Sequence, residues 1–409
     1  MVRKILLFIL MIIFLLLSCI RDFSMIDQPI PLRDLTETEK DLVGLSNEFG
    51  INLFKEVVKS EEPDTNIFIS PLSISIALGM TYNGAAGETE EAMRTTLGFG
   101  EMTREQINQS FQSLITLLTT IDQNTVFQIA NSIWYKKNFS VNKEFIDINK
   151  KYFDAEVREL DFFSSGAKDI INDWVENKTK GKIKEIIDFI DPTSVMFIIN
   201  AIYFLGDWTY QFDKDLTFNA PFYTEDGSQA DCRMMRQENV FNYFETDDFQ
   251  AVEIPYGNEY FSMIIFLPKE GSSVDEIAES VTVDNWKSWI GMFSEKELNL
   301  FLPKFTIKYF IDLSSVLKLL GMEISFDPLR ADFSMINPDC DLYISRVLHK
   351  TYVKVDEEGT EAAAVTVVEI RYTSTVTEFR VNRPFIFIIR ERHSDSIIFM
   401  GRVVDPSSD

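Results

Sequence analysis

The sequence predicts an α+β fold in one integrated domain, and three observations lead there. Helix-like and strand-like segments succeed one another without the regular strand–helix–strand spacing of a parallel α/β sheet. Phenylalanine, at 35 residues, supplies enough apolar bulk for one large core. The 17 glycines and 13 prolines are scattered, so no linker divides the chain, although 409 residues would accommodate two or three ordinary domains.

Leu42, Leu45, Phe49, Leu53 and Val57 recur at helical spacing and predict a helix over Thr38–Lys59 with one buried face. Ser70 followed by Pro71 is a cap plus a first-turn proline. The segment Ser70–Tyr82 is apolar nearly all round and reads as a central buried helix. Gly87–Leu97 and Thr103–Ile121 read as surface helices, Val126–Tyr135 as a strand, and Lys143–Phe153 and Ala167–Thr179 as helices. Val195–Phe204 is nearly continuous apolar sequence, which predicts a strand buried on both faces. Phe241–Tyr243, Phe249–Ile254 and Tyr260–Leu267 predict a run of antiparallel strands. Asp284–Met292 and Asp312–Gly321 read as helices, the second ended by Gly321. Leu298–Tyr309 is strand-like but interrupted by Pro303, and Phe385–Arg390 with Ser396–Val403 predicts a hairpin.

Residues 1–18 read as an export signal: Arg3 and Lys4, then an apolar run from Ile5 to Leu17 too short for a confident membrane span. The run ends Leu16-Leu17-Ser18-Cys19, which resembles a bacterial lipoprotein cleavage box with Cys19 as the lipidated residue. The alternative is a plain secretory signal with a chance cysteine; we take the lipid reading, with residues 19–38 as a tether. Loss of Arg3 and Lys4 would take the formal net charge from −25 to −27. So acidic a surface repels nucleic acid and anionic headgroups, which leaves the N-terminal lipid as the expected membrane contact. Cys232 and Cys340 could pair, but two buried free thiols are the preferred expectation.

Nothing points to an enzyme. His349 and His393 are the only histidines, and no His-Glu-x-x-His, Gly-x-Ser-x-Gly or phosphate-cradling loop is present. Cysteine and histidine are too few for a metal site, so no metal or cofactor is expected. The carboxylates are abundant and read as a solvated surface.

The chemistry lies instead in Lys350–Arg383. Thr351–Val355 alternates like a strand, and a long segment without a clear turn follows. Alternate residues Thr360, Ala362, Ala364, Thr366, Val368 and Ile370 are small or apolar and uncharged. The other set, Glu361, Ala363, Val365, Val367, Glu369 and Arg371, carries every charge. Gly359 offers a pivot at the start. Two readings stand on these residues: a strand able to enter an existing sheet, or an ordinary edge strand with an Ala-rich turn.

The run Glu357-Glu358-Gly359-Thr360-Glu361-Ala362-Ala363-Ala364, with Phe379–Ile389 after it, resembles the hinge and C-terminal signature of the serpins. Asn66–Ser73, Ile171–Glu176, Asn200–Trp208, Leu302–Phe305 and Phe399–Val403 resemble further blocks in family order, so the likeness runs from about residue 40 to the C-terminus. It implies a single serpin domain over residues 39–409, three sheets named A to C, eight or nine helices, and a reactive loop at about residues 357–379. It favours the entering-strand reading. It also implies a "shutter" of Asn66, Ser70, Ser73, Asn200 and His349, with His349 bonded to Asn200, and a "breach" of Trp208, Lys304 and Glu357.

The function so implied is suicide-substrate inhibition. A protease attacks the exposed loop, an acyl-enzyme forms, and the freed segment enters between Val195–Phe204 and Thr351–Val355. Family spacing from both ends places the scissile bond at Thr373-Ser374, which suits an elastase-like or subtilisin-like serine protease. Tyr372 and Arg371 are the alternatives, the latter admitting trypsin-like or cysteine proteases. Heparin is not an expected partner, because Thr103–Ile121 carries only Arg104 where heparin-binding relatives carry a basic face. A monomer is expected. The other class kept open is a non-inhibitory serpin that binds ligands or acts as a chaperone.

Overall fold

The computed structural model describes residues 32–360 and 377–408, and Thr36–Asp409 forms one compact unit. Nine α-helices and three hydrogen-bonded sheets lie among the described residues. The helices are α1 (Glu37–Ser60), α2 (Pro71–Tyr82), α3 (Gly87–Thr96), α4 (Arg104–Thr120), α5 (Lys143–Phe153), α6 (Ala167–Lys178), α7 (Val274–Ser280), α8 (Val283–Met292) and α9 (Ser314–Leu317). Local chemistry sets their starts. Thr36 and Thr103 make capping boxes with Glu39 and Gln106, and the Ser70 hydroxyl caps α2 by accepting from the Ser73 amide. The helix expected over Asp312–Gly321 is shorter. It is α-helical for one turn, then widens into a π-turn that Gly321 ends at φ 116°.

The strands are β1 (Ile67–Ile69), β2 (Thr125–Lys136), β3 (Glu156–Leu160), β4 (Met196–Asp207), β5 (Phe218–Tyr223), β6 (Gln229–Glu245), β7 (Phe249–Tyr256), β8 (Phe261–Pro268), β9 (Ser294–Pro303), β10 (Phe305–Asp312), β11 (Leu348–Val355), β12 (Gly359–Thr360), β13 (Thr377–Arg380), β14 (Phe385–Glu391) and β15 (Ile397–Val403). Nine of them form one sheet in the order β1-β15-β14-β8-β7-β6-β9-β13, with β5 on β6. Strands β8, β14 and β15 are buried at every residue and form its core. Pro303 does more than interrupt a strand: β9 and β10 on either side of it belong to different sheets.

A four-stranded sheet, β12-β4-β2-β3, and a two-stranded one, β10-β11, complete the fold. Strand β4 pairs along its length with β2, and on its other side only its last two residues, Gly206 and Asp207, pair with β12. Strand β11 pairs through all eight residues with β10, its one strand partner among the described residues. A cleft lined by Ile202, Tyr203 and Phe204 of β4 and by Tyr352, Val353 and Lys354 of β11 separates the two sheets. This corrects the expectation that Val195–Phe204 is buried on both faces. Most of β4 is only half-buried, because it borders the cleft rather than lying mid-sheet. The thiols are corrected in part: both are free, and Cys232 is buried with its pKa pushed up to about 11 by that burial, but Cys340 is exposed.

Candidate functional site

The top of the cleft is where the expected hinge begins. Gly359 and Thr360 pair with Asp207 and Gly206, so the chain already contributes two residues to the edge of β4. Two glycines make this approach possible. A Cβ on Gly359, whose φ is 151°, would lie 2.2 Å from the Gly206 carbonyl oxygen, and one on Gly206 would lie 2.9 Å from the Phe204 ring. Thr360 is 4% exposed, and its hydroxyl shares a 2.8 Å hydrogen bond with the buried Tyr256 hydroxyl.

The residues just before are tied as closely. The Trp208 amide donates to the Glu358 carbonyl (2.9 Å), the Trp208 indole donates to the Asp356 carbonyl (3.0 Å), and the Phe212 amide donates to the Glu357 carbonyl (2.9 Å). Trp208 stacks on Tyr256 with ring centroids 4.4 Å apart. The Glu357 carboxylate is 6% exposed and receives the Lys304 ammonium at 2.5 Å and the Thr217 hydroxyl at 2.8 Å. Burial pushes its pKa up, but the ammonium and these hydrogen bonds more than offset that and hold it below the usual glutamate value. Lys214 pairs with Glu358 outside. Trp208, Lys304 and Glu357 thus lie at one end of the cleft; Thr217, Phe212 and Tyr256 join them there, and no periodicity pointed to those three.

Lower in the cleft, Ser70 begins α2 beneath both sheets. Its amide donates to His349 Nε2 (3.0 Å) and its hydroxyl to the Ile398 carbonyl (2.8 Å). With Nε2 accepting, the imidazole proton sits on Nδ1. Asn200 accepts from the Ser73 hydroxyl and donates to Asn131 Oδ1 (2.7 Å), its register partner on β2. The expected His349–Asn200 bond is thus replaced, because β11 and β4 lie in separate sheets and Asn200 turns to its own neighbours. Asn66 also stands apart: it donates to the Asp405 carbonyl and accepts from the Val404 and Asp405 amides, clamping the C-terminal segment. Asn131, the partner of Asn200, also donates to the Phe153 carbonyl. Of the remaining hinge and loop residues, Glu361, Ala362, Ala363, Ala364, Arg371, Tyr372, Thr373 and Ser374 lie outside the described residues, as does Cys19.

His349 is buried, and desolvation pushes its pKa down to about 3 from the ordinary 6.5. Its neutral form is favoured in the fold, so its contribution is complete above about pH 6.5 and is lost as pH falls toward 3. Acidification to about pH 5 is expected to remove roughly 2 kcal/mol through this residue. Denaturant melts of the protein and of His349→Gln over that range check it: the variant should lose less stability on acidification, and equal losses would contradict the assignment.

The family model described as Serpin (serine protease inhibitor) matches residues 45–406. An uncharacterised serpin-like protein of Thermococcus kodakarensis is 34% identical over 375 residues, which is 90% of this chain and 86% of that protein. Human Serpin B11 is 33% identical over 384 residues, covering 88% and 98%. Among solved structures, the thermophilic serpin tengpin in its native state gives a TM-score of 0.82 at 34% identity over 92% of this chain and 97% of that one. Human thyroxine-binding globulin, solved as its thyroxine complex, gives 0.84 at 30% identity over 91% and 100%. With the cleft, the hinge at its mouth and these likenesses along nine-tenths of its length, the chain belongs to the serpin family.

Proposed function

We propose that the protein inhibits a protease as a suicide substrate, trapping it as an acyl-enzyme while the cleaved loop enters the cleft between β4 and β11. The observation that carries this is the seating of Gly359 and Thr360 on β4 at the mouth of the cleft that lies between β4 and β11. A strand entering there would add its ladders to the edges of β4 and β11. From Thr360 the inward set continues Ala362, Ala364, Thr366, Val368 and Ile370, none of which brings a charge into a core. The second reading is a binding-only role, of the kind that thyroxine-binding globulin has in its complex with thyroxine; the uninterrupted hinge sequence favours inhibition.

The scissile bond we assign is Thr373-Ser374, with Tyr372 and Arg371 as alternative residues before the cut, and the target is a serine protease of elastase-like or subtilisin-like preference. The export segment suggests a lipid on Cys19 and a place at the cell envelope, with simple secretion as the alternative. Mass spectrometry of the protein made by an exporting cell, before and after reaction with subtilisin and pancreatic elastase, tests these points together. We expect a chain beginning at a lipidated Cys19 and a product ending at Thr373. An unmodified mature N-terminus would remove the anchor, and cleavage elsewhere in the loop would move the bond.

A further inference from the structure

We infer that Tyr256 is a positioning residue that holds the hinge seated in the uncleaved protein and so sets how readily the loop is presented to a protease. The geometry gives the hinge two aromatic holds that are themselves one stack. Trp208 fixes Asp356 through its indole and Glu358 through its amide, and Tyr256, parallel to it at 12°, fixes Thr360. Phe204 meets Tyr256 edge-on at 5.2 Å, which closes the other side of the ring. The Tyr256 hydroxyl is fully buried at the floor of the site, and its hydrogen-bond partner is Thr360 Oγ1. A buried hydroxyl left without a partner is costly, so seating of Thr360 and satisfaction of Tyr256 are one event.

Seating has a consequence for reach. A strand advances roughly 3.3 Å per residue, so two residues held on β4 withhold about 7 Å of chain from the segment offered to a protease. A protease needs the loop extended in its cleft. The form it engages most readily has Gly359 and Thr360 withdrawn, and the seated and withdrawn forms stand in a pre-equilibrium. The Tyr256–Thr360 bond is a contact in that equilibrium that deleting a single oxygen atom removes.

The test uses the full chain and Tyr256→Phe, Thr360→Val and the double variant. Hydrogen exchange at the Trp208 amide, whose acceptor is the Glu358 carbonyl, reports seating without any protease. Each single variant is expected to speed that exchange about tenfold, the worth of one buried hydrogen bond, and the double variant to add little more. The rate constant for SDS-stable adduct formation with subtilisin should rise by a similar factor. A role for Tyr256 in packing alone would lower melting temperature, leave the adduct rate unchanged and make the two substitutions additive. Unchanged Trp208 exchange in Tyr256→Phe would overturn the seating role, and faster exchange with an unchanged adduct rate would overturn its control of presentation. The rate readout rests on the inhibitory reading above. Absence of any adduct from the unsubstituted protein would count against that reading, while the exchange result still decides the seating.

Discussion

Thr360→Arg is expected to abolish the SDS-stable adduct and leave only cleaved chain. Thr360 is the first residue of the hinge that faces inward, and it sits between Gly206 and the Tyr256 hydroxyl at 4% exposure. A guanidinium there would meet the Tyr256 hydroxyl and the aromatic rings of Tyr256, Trp208 and Phe204 around it. Burying it unpaired costs several kcal/mol. Strand entry competes in time with hydrolysis of the acyl-enzyme, and every 1.4 kcal/mol added to the barrier for entry slows it about tenfold. Around 4 kcal/mol would therefore favour release by roughly a thousandfold. Gel analysis after reaction with an excess of subtilisin shows the outcome directly. Thr360→Val, which adds no charge, should keep the adduct; an undiminished adduct from Thr360→Arg would contradict strand entry at this position.

Lys304→Met should destabilise the uncleaved protein by about 2 kcal/mol at neutral pH. The lysine methylenes are replaced in kind, so the loss comes from the ammonium. Glu357 is then a nearly buried carboxylate left with the Thr217 hydroxyl and its own backbone amide. Lys304 is itself 34% exposed, which keeps the figure below that of a fully buried pair. The pair holds the folded-state pKa of Glu357 below its ordinary 4.5, so its contribution is complete above that value and is lost as pH falls through the folded value. The stability gap between the protein and the variant should narrow as pH falls below the ordinary 4.5. A gap that stays constant down to pH 3 would mean that Lys304 acts by packing rather than charge.

How much of this could be read from the chain depends on the kind of signal each feature leaves. Helix starts leave a local one: Ser70 caps as Pro71 and the apolar run after it predict, and the expected helices fall within a residue or two except Asp312–Gly321, which is shorter, while Val274–Ser280 is a helix that no pattern pointed to. The separation of β4 from β11 leaves none, because a strand bordering a cleft and a strand in mid-sheet can share the same apolar run; Val195–Phe204 therefore predicts deeper burial than the strand has. The breach charges Lys304 and Glu357 are legible through the family likeness, and their pairing stands at 2.5 Å. Tyr256, Thr217 and Asn131 carry equal structural weight but come from β-strands and loops distant in sequence, where only the pairing register brings them to the cleft. Asn66 illustrates the converse. Its neighbours in sequence belong to the cleft floor, yet its own side chain turns to the C-terminal segment.

Everything proposed for this serpin depends on the cleft accepting the loop once it is cut. Differential scanning calorimetry before and after a single nick in the loop by a protease that does not remain bound measures that most directly. A strand gaining two ladders and burying its inward side chains should contribute on the order of 10 kcal/mol, which for a domain of this size raises the melting temperature by roughly 10 °C or more. Loop entry predicts that rise. A nicked protein that melts at the temperature of the intact one would contradict it.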